Sequence, residues 1–418
     1  MAINNNIIFR KIIIGLISRH ECIFRFDEMR LLPVHRRSCV RWIVAYAFVF
    51  IVLMPFFGQD LFYSPYRSGR WTNAAMRETA LESHNRALLE AHVYLRTLDS
   101  RSRPLVPDNR SAEFTIAVVT SRRVVGRRPV GYLTRTVAAL DHLPSSNSSS
   151  WPASKQLFIC DVNAGPAPHV EADRLRKFFH AVVRFPNASA SAAILDPFEK
   201  EKQDYAFCLQ QALQFMSSYI VMVEDDAVAR EDLFSALQHI LSTRTLTSVP
   251  AWSHLKLYYP ERWQGFSLDI RTGLELLSLF CITYVLCIAV SGIFWHKQRE
   301  RFRHAVAGGL LVVLLALSVG RQHLIELKRV SPCLYSLAPD PGCCSPAILY
   351  KAEFARLLIP YLVKQVRCSS DYPLDMALKS FVNHLHWQGF RVEPNLFRHI
   401  GLISTLKGLS RYIEDFLM

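Results

Sequence analysis

Three consecutive carboxylates, Glu224, Asp225 and Asp226, directly follow Tyr219 to Val223, an apolar run that suits a buried strand. Adjacent carboxylates repel one another, so such a cluster is costly unless a cation or hydrogen-bond donors compensate it. Ligands of α/β proteins bind beyond the carboxyl ends of the strands, and hard divalent cations prefer oxygen ligands. The run therefore predicts a site for a metal ion and a phosphate group. The structural alternative is that Asp225 and Asp226 cap a helix that begins near Val228.

The strand before the triplet belongs to an alternating series of elements. Composition and spacing predict strands over residues 114–120, 156–161, 181–185, 219–223 and 252–259, and helices over 132–140, 175–179, 199–216 and 230–240. Strands that alternate with helices predict an α/β domain with a mostly parallel sheet. The chain contains no GxGxxG motif and no Walker loop, which argues against a dinucleotide-binding domain or an NTPase.

Half of the 418 residues are hydrophobic, which is slightly high for a purely soluble protein. Three apolar runs account for this: Trp42–Phe57, Leu274–Trp295 and Ala305–Gly320. A hydrocarbon core about 30 Å thick requires about 20 helical residues, so all three runs are candidate transmembrane helices. The alternative for the second and third runs is a pair of buried helices in a soluble domain.

Basic residues around these runs predict their orientation. Arg36, Arg37 and Arg41 precede the first run, and a basic loop, residues 296–304, separates the second from the third. The positive-inside rule places both basic segments in the cytosol. We therefore predict a cytosolic N-terminus (1–41), a transmembrane helix (42–57) and a luminal stem helix (58–110). The α/β domain follows in two parts (111–273 and 321–418), which are separated by a transmembrane hairpin (274–320).

The predicted luminal parts agree with this topology. They contain glycosylation sequons at Asn109, Asn147 and Asn187. They also contain cysteines, and disulfides persist in such a compartment. We expect disulfide bonds among Cys333, Cys368 and one of the neighbours Cys343 and Cys344. A zinc site is the weaker alternative, because the chain has no CxxC pair.

The net charge of +14 does not require a nucleic-acid partner, because part of it comes from the predicted cytosolic flanks. The luminal run from Ser121 to Arg128 is rich in arginine and suits an anionic ligand such as a diphosphate. The alternative is that this run is a solvated loop.

With these motifs, the chain resembles the Golgi enzymes that add an N-acetylgalactosamine branch to glycosylphosphatidylinositol (GPI) anchors after their attachment to protein. The resemblance rests on Val223-Glu224-Asp225-Asp226 and on a transmembrane hairpin inside an α/β domain. It implies a GT-A-like glycosyltransferase domain. Separately, Thr120–Arg123 with Tyr132-Leu133, and Pro394–Gly401, resemble segments of the N-acetylglucosaminyltransferase IV group.

The resemblance implies transfer of GalNAc from UDP-GalNAc to the first mannose of the GPI core, with inversion, assisted by Mn²⁺ or another divalent cation. Asp226 and Asp225 would contact the metal or diphosphate, and Glu224 would hold the ribose or position the loop. His399 is a candidate further metal ligand, or else a surface histidine. Arg122, Arg123 and Asp161 lie at strand ends suited to nucleotide binding, although each could be purely structural.

Inversion requires a general base for the acceptor hydroxyl. Asp375 and Asp371 are candidates because both lie near the start of a helix predicted over 372–385, and Glu261 is a third. Helix capping is the structural alternative, which we favour for Asp371.

Two other functions remain open at this point. The first is an N-acetylglucosaminyltransferase that acts on another glycan, such as N-glycan branches. The second is a non-catalytic membrane protein that binds GPI or assists its assembly. Transport is disfavoured, because the apolar runs contain almost no ionisable residues.

Overall fold

A computed structural model describes residues 34–69, 71–99, 112–125, 128–143, 154–165, 167–186, 196–243, 246, 248–249, 251–294, 298–404 and 408–409. These residues divide between two compact units. The first unit, which we call the helical unit, falls within Met1–Thr72 and Gln264–Ile325, and the second, the sheet unit, falls within Asn73–Trp263 and Glu326–Met418. The sequons at Asn109, Asn147 and Asn187 lie outside the described residues.

The strands of the sheet unit are β1 (Phe114–Thr120), β2 (Val124–Val125), β3 (Arg128–Pro129), β4 (Lys155–Asp161), β5 (His180–Val183), β6 (Tyr219–Glu224), β7 (Ala227–Ala229), β8 (Trp252–Lys256), β9 (Ser336–Pro339), β10 (Ala347–Lys351), β11 (Gln388–Glu393), β12 (Phe397–His399), β13 (Ile403–Ser404) and β14 (Gly408–Leu409). Eight of them form one sheet in the order β5-β4-β1-β6-β10-β8-β11-β9. Strands β5, β4, β1 and β6 are parallel, as are β8 and β11, whereas β10 is antiparallel to both of its neighbours and β9 to β11. The predicted α/β class with a mostly parallel sheet is confirmed.

The helices, in chain order over both units, are α1 (Val34–Ala47), α2 (Met54–Phe57), α3 (Asn73–Asp99), α4 (Tyr132–His142), α5 (Val170–Leu175), α6 (Pro197–Leu213), α7 (Leu233–Ser242), α8 (Ile270–Phe294), α9 (Gln298–Val319), α10 (Arg321–Glu326), α11 (Ala352–Lys364) and α12 (Leu374–His384). A wider helical segment, Phe48–Leu53, joins α1 to α2, and short 3-10 turns cover Gly58–Asp60, Glu261–Trp263, Leu327–Val330 and Pro332–Leu334.

Alternation along the strands sends side chains to both faces of the sheet, and each face has its own core. On β1, Ile116 and Val118 pack with residues of α3, α4, α5 and α7. Ala117 packs on the opposite face with residues of α6, α11 and α12. Leu95 and Leu98 of α3 belong to the first core, so the predicted stem helix packs within the sheet unit.

The helical unit contains three helical stretches that are long and apolar enough to cross a membrane: Val40–Asp60, Ile270–Ser291 and Gln298–Val319. Helices α8 and α9 approach each other closely, because a Cβ atom at Gly309 would lie 2.6 Å from Phe280. Small residues permit such contact between apolar helices. An ion pair of 2.6 Å joins Glu275 of α8 to Arg321 of α10.

Three expectations differ from the structure. The helix predicted over 175–179 lies earlier in the chain, over Val170–Leu175. The strand predicted over 252–259 ends at Lys256, because the Tyr259 amide donates to the Asn395 side chain rather than to a strand. The disulfide in the described residues joins Cys160 on β4 to Cys208 on α6, whereas the bonds expected among Cys333, Cys343 or Cys344, and Cys368 are absent from the described residues. The expected pairing was wrong because those cysteines were matched by compartment alone, without knowledge of which elements are neighbours.

Candidate active site

The acidic triplet lies where β6 ends and the chain turns into β7. Backbone contacts hold this turn in place: the Asp225 amide donates to Val119 of β1 at 3.0 Å, and the Ile400 amide donates to the Asp226 carbonyl at 2.8 Å. The Thr136 hydroxyl of α4 donates to the Asp225 carbonyl at 2.7 Å. Residues 227–229 form a strand rather than a helix, so the helix-capping explanation for the two aspartates is wrong.

Arg123 joins the two aspartates. Its guanidinium lies 2.8 Å from Asp225 Oδ1 and 2.5 Å from Asp226 Oδ2. The same side chain donates to the Ile403 carbonyl at 3.1 Å and lies over the Tyr132 ring at 5.6 Å from its centre. Both aspartates are only 3% exposed, so this ion pair is a buried one whose geometry is held from several sides. Arg122, by contrast, is exposed.

His399 is far from Asp226 in the sequence, but its imidazole lies beside the Asp226 carboxylate. It is the last residue of β12, which pairs with β7 so that His399 is opposite Ala227. Its Nε2 atom lies 3.4 Å from Asp226 Oδ2. The structure thus brings together two of the predicted metal ligands, and His399 is not simply a surface histidine.

The charges at this site shift one another's pKa values. Burial raises the pKa of Asp225 to about 7, although the charge of Arg123 opposes this rise. Burial also opposes ionisation of Asp226, but the charges of Arg123 and His399 outweigh it and hold the pKa of Asp226 below its usual range. Asp226 in turn raises the pKa of His399 against the effect of burial. Asp226 is therefore the firmly ionised member of the pair.

The donor set around Asp226 fits a divalent cation. Asp226 Oδ1 is buried and has no hydrogen-bond partner among the described residues. Hard cations such as Mg²⁺ are commonly held by one or two carboxylates together with substrate phosphates, and Mn²⁺ also accepts imidazole. Within the ranges that the structure describes, no group of three or more His, Cys, Asp or Glu residues could hold a metal by itself. A bound cation would therefore need ligands from a diphosphate or from water.

A hydrogen-bonded chain extends from Asp225 toward the neighbouring strands. The Thr120 hydroxyl donates to Asp225 Oδ2 at 2.7 Å and lies 2.9 Å from His169 Nε2. Asp161 lies two strands from the triplet in the sheet order, and it pairs with Arg176 at 2.7 Å and accepts from the Asn163 amide. Its carboxylate serves local structure and does not contact the acidic triplet in this conformation.

Glu224 and Asp375 each accept a hydrogen bond from the short segment Cys344–Ser345. The Ser345 hydroxyl donates to Glu224 Oε1 at 3.1 Å, and the Cys344 amide donates to Asp375 Oδ2 at 3.1 Å. Burial and the charge of Asp226 raise the pKa of Glu224. Asp375 lies in the first turn of α12, whereas Asp371 is exposed and precedes the helix, whose cap position is Pro373. The capping role that we favoured for Asp371 is therefore wrong.

Glu261 is buried beside the segment that carries His399. Its carboxylate accepts from the side-chain amide of Asn395 at 2.8 Å and from the Tyr258 hydroxyl at 3.4 Å. The Tyr258 ring lies 5.7 Å from the His399 ring. Asn395 also bonds both backbone groups of Tyr259, so Glu261 belongs to a connected network that supports the His399 side of the site.

Sequence reasoning missed two groups of residues around this site. Gly401 lies so close to Asp226 that a Cβ atom there would be 2.0 Å from Oδ2. Arg135 and Arg398 line a small cleft together with His84, and Arg135 lies 2.7 Å from His84 Nδ1. Neither group has a local signal of its own, although Arg398 and Gly401 lie within the segment Pro394–Gly401 that contains His399.

Comparisons with known proteins extend this picture. A solved structure, the mannosyltransferase PcManGT from Pyrobaculum calidifontis in complex with GDP-Man and Mn²⁺, is 12% identical, with 74% of this chain and 99% of that chain covered and a TM-score of 0.23. A family model for the GPI-N-acetylgalactosamine transferase PGAP4 matches residues 114–398, which includes the acidic triplet and Arg398. Because this match spans more than half of the 418 residues, the chain belongs to the PGAP4 family of GPI-N-acetylgalactosamine transferases.

Proposed function

We propose that this protein is a Golgi membrane glycosyltransferase that moves GalNAc from UDP-GalNAc to the first mannose of the GPI core, with inversion. Membership of the PGAP4 family supports the reaction class. The single observation that supports the site is the buried turn at which Arg123 and His399 converge on Asp226. Such a site combines positive and negative groups in a water-poor setting, where electrostatic interactions with a diphosphate are strong.

In this proposal Asp226 and His399 would hold a divalent cation, Mn²⁺ or a similar ion, which would supply Lewis-acid stabilisation of the UDP leaving group. To act as a metal ligand His399 would have to be neutral, against the effect of Asp226, which raises the pKa of His399. Arg123 keeps Asp225 and Asp226 in place and adds a positive charge beside the diphosphate. Glu224 fixes the segment Ser345–Pro346 through its side chain and its amide.

We propose Asp375 as the general base that accepts the proton of the attacking mannose hydroxyl. It is partly exposed, and its carboxylate is held by the Cys344 amide at a segment that also touches Glu224. Both Glu261 oxygens already accept hydrogen bonds in a buried network, which suits a supporting role. Asp371 is exposed and lies outside α12, so it serves as a matched control for Asp375.

The hairpin suggests how the enzyme finds a lipid-linked acceptor. In sequence, helices α8 and α9 lie between two parts of the sheet unit. We propose that they cross the membrane and restrict the height of the catalytic domain above it, which would raise the effective concentration of a membrane-bound glycan. Replacement of the hairpin by a short linker should preserve UDP-GalNAc hydrolysis and abolish transfer to GPI, and retained transfer would contradict this role.

The decisive experiment measures UDP release by purified full-length protein with UDP-GalNAc, a GPI-glycan acceptor and Mn²⁺. Asp226→Asn and a chelator should both abolish acceptor-dependent release. Asp375→Asn should abolish transfer but preserve UDP-GalNAc binding, whereas Asp371→Asn should behave as wild type. The absence of release from correctly folded wild-type protein would favour a non-catalytic GPI-binding protein. Preference for UDP-GlcNAc and an N-glycan acceptor would instead identify a different transferase.

A further inference from the structure

Two neighbouring cysteines, Cys343 and Cys344, lie in the segment that leads into β10, and their Sγ atoms are 2.6 Å apart. Successive side chains of an extended chain point to opposite sides, so neighbouring sulfur atoms meet only where the backbone turns. Here φ is +95° at Gly342 and +72° at Cys344. Left-handed backbone is unfavourable at a residue with a Cβ atom. The fold therefore accepts a conformational cost that brings the two thiols together.

Hydrogen bonds fix this turn from two sides. Lys256 of β8 donates to the Cys343 carbonyl at 2.5 Å, and the Lys256 ammonium also lies 3.0 Å from Asp340. On the other side, the Cys344 amide donates to Asp375. The cysteine pair is thus attached to a central strand and to the start of α12.

The same segment reaches the acidic triplet immediately after the cysteines. The Ser345 hydroxyl donates to Glu224, and the Glu224 amide donates to the Pro346 carbonyl at 2.8 Å. Any change in the backbone at Cys343 and Cys344 therefore acts on Glu224 at one end and on Asp375 at the other.

The two thiols of the pair differ in their reactivity. The contact with the Cys344 thiol lowers the pKa of Cys343, burial opposes this effect, and the charge of Lys256 adds to it. Contact with Cys343 and burial raise the pKa of Cys344. The thiolate is the nucleophile in disulfide exchange, so Cys343 is the attacking sulfur. The sheet unit already contains one disulfide, Cys160–Cys208, which is typical of proteins from an oxidising compartment.

We propose that Cys343 and Cys344 are joined by a disulfide bond between neighbouring residues, and that this bond locks the segment between the acidic triplet and Asp375. The functional half of the proposal rests on the transferase function proposed above.

The bond forms by two exchange steps with a small disulfide such as oxidised glutathione. The Cys343 thiolate attacks one glutathione sulfur, which gives a mixed disulfide and releases one glutathione thiolate. Cys344 then loses its proton and attacks the Cys343 sulfur, which forms the Cys343–Cys344 bond and releases the second glutathione. In total the two cysteines lose two electrons and two protons, and the two molecules of reduced glutathione take up these electrons and protons.

Peptide mass spectrometry tests the bond without any activity assay. Trypsin cleaves after Arg329 and Lys351, and the resulting peptide contains Cys333 as well as Cys343 and Cys344. Full-length protein is denatured and alkylated without reductant, then digested. We expect alkylation of Cys333 alone, and alkylation of all three cysteines after reduction. Alkylation of all three before reduction would overturn the proposal, as would a bond from either neighbour to Cys333 or Cys368.

The functional half is tested by the response of transfer to a reductant. The double variant Cys343→Ser/Cys344→Ser keeps the Cys160–Cys208 disulfide, so any effect of reductant on this variant comes from that disulfide alone. Cys333→Ser controls for the loss of an exposed thiol. A misplacement of about 1 Å at a catalytic group costs on the order of 10²-fold in rate. We therefore expect reductant to slow wild-type and Cys333→Ser transfer tenfold or more, to about the level of the untreated double variant, and to slow the double variant far less.

Equal responses of wild type and double variant would overturn the locking role even if the bond is found. An intact bond in a protein that transfers no GalNAc would instead contradict the proposed function and leave the bond established. If the double variant does not fold, the alkylation pattern of the wild-type protein still decides whether the bond exists, and mild reduction of wild type, followed by both mass and rate, decides whether it matters.

Discussion

Gly401 offers a test of the site that changes space alone. A Cβ atom at this position would lie 2.0 Å from Asp226 Oδ2 and 3.0 Å from His399 Nε2, and the backbone there is not left-handed. Gly401→Ala therefore adds no backbone strain. The added methyl must displace the Asp226 carboxylate, because contacts under 3.0 Å do not occur for real Cβ atoms.

The expected loss follows from the size of this displacement. Ordinary van der Waals contact begins at 3.4 Å, so the Asp226 carboxylate must move by more than about 1 Å. A misplacement of that size costs on the order of 10²-fold in rate. Overpacking of a well-packed site costs about 1–3 kcal/mol in the free energy of unfolding. Gly401→Ala should thus lower kcat by about a hundredfold while the protein stays folded.

The assay is UDP release from UDP-GalNAc in the presence of acceptor, accompanied by thermal unfolding of each variant. Gly165→Ala is the matched control, because Gly165 is exposed and its added Cβ would meet only Asn163, at 3.9 Å. The control should retain wild-type kcat. A Gly401→Ala enzyme within threefold of wild type, or an equal loss in both variants, would refute the placement of Asp226 at the reacting centre.

Three further predictions concern stability, measured by urea or thermal unfolding. Asp340→Asn should cost about 3–5 kcal/mol, because it leaves the charge of Lys256 buried without its partner, and an effect below 1 kcal/mol would contradict this pairing. Burial opposes ionisation of Asp340, but the contacts from His254 and Lys256 outweigh it and lower the pKa of Asp340. The wild-type protein should therefore lose this stabilisation as pH falls below 3.8, the usual pKa of an aspartate. The stability of Asp340→Asn should not show this dependence on pH. Cys208→Ser should cost up to about 4 kcal/mol, because it opens a loop with a sequence separation of 48, and an unchanged unfolding midpoint would argue against the bond. Gly389→Ala should cost about 1–3 kcal/mol, since its Cβ would lie 2.4 Å from the His254 ring, while UDP-GalNAc affinity should not change.

Local signals explain what the sequence could predict. The acidic triplet was placed correctly at a strand end, because five apolar residues followed by three charges form a contiguous pattern. The apolar helices were predictable for the same reason. In contrast, the antiparallel position of β10 between β6 and β8 depends on contacts between segments far apart in the chain, which no local pattern records.

The candidate site shows the same division. Arg123 could be singled out as a basic residue near a strand end, but its position between Asp225 and Asp226 is a tertiary contact. Asp371 and Asp375 looked equivalent by spacing, and they differ because α12 begins at Leu374, which leaves Asp371 outside the helix. The importance of Gly401 could not be predicted, because it depends on the distance to the Asp226 carboxylate, in the turn between β6 and β7.

The order of strands in the sheet has a consequence for biosynthesis. Strand β6 is complete before helices α8 and α9 are translated, whereas its neighbour β10 and the strand that carries His399 are translated after them. A nascent chain must therefore hold the exposed edge of β6 without its partner while the hairpin is synthesised. Unpaired strand edges promote aggregation, so the growing chain is prone to aggregate during this interval. A protein that stops after the hairpin would have the acidic triplet but neither the strand that covers it nor the histidine, so activity should appear only once synthesis has passed residue 399.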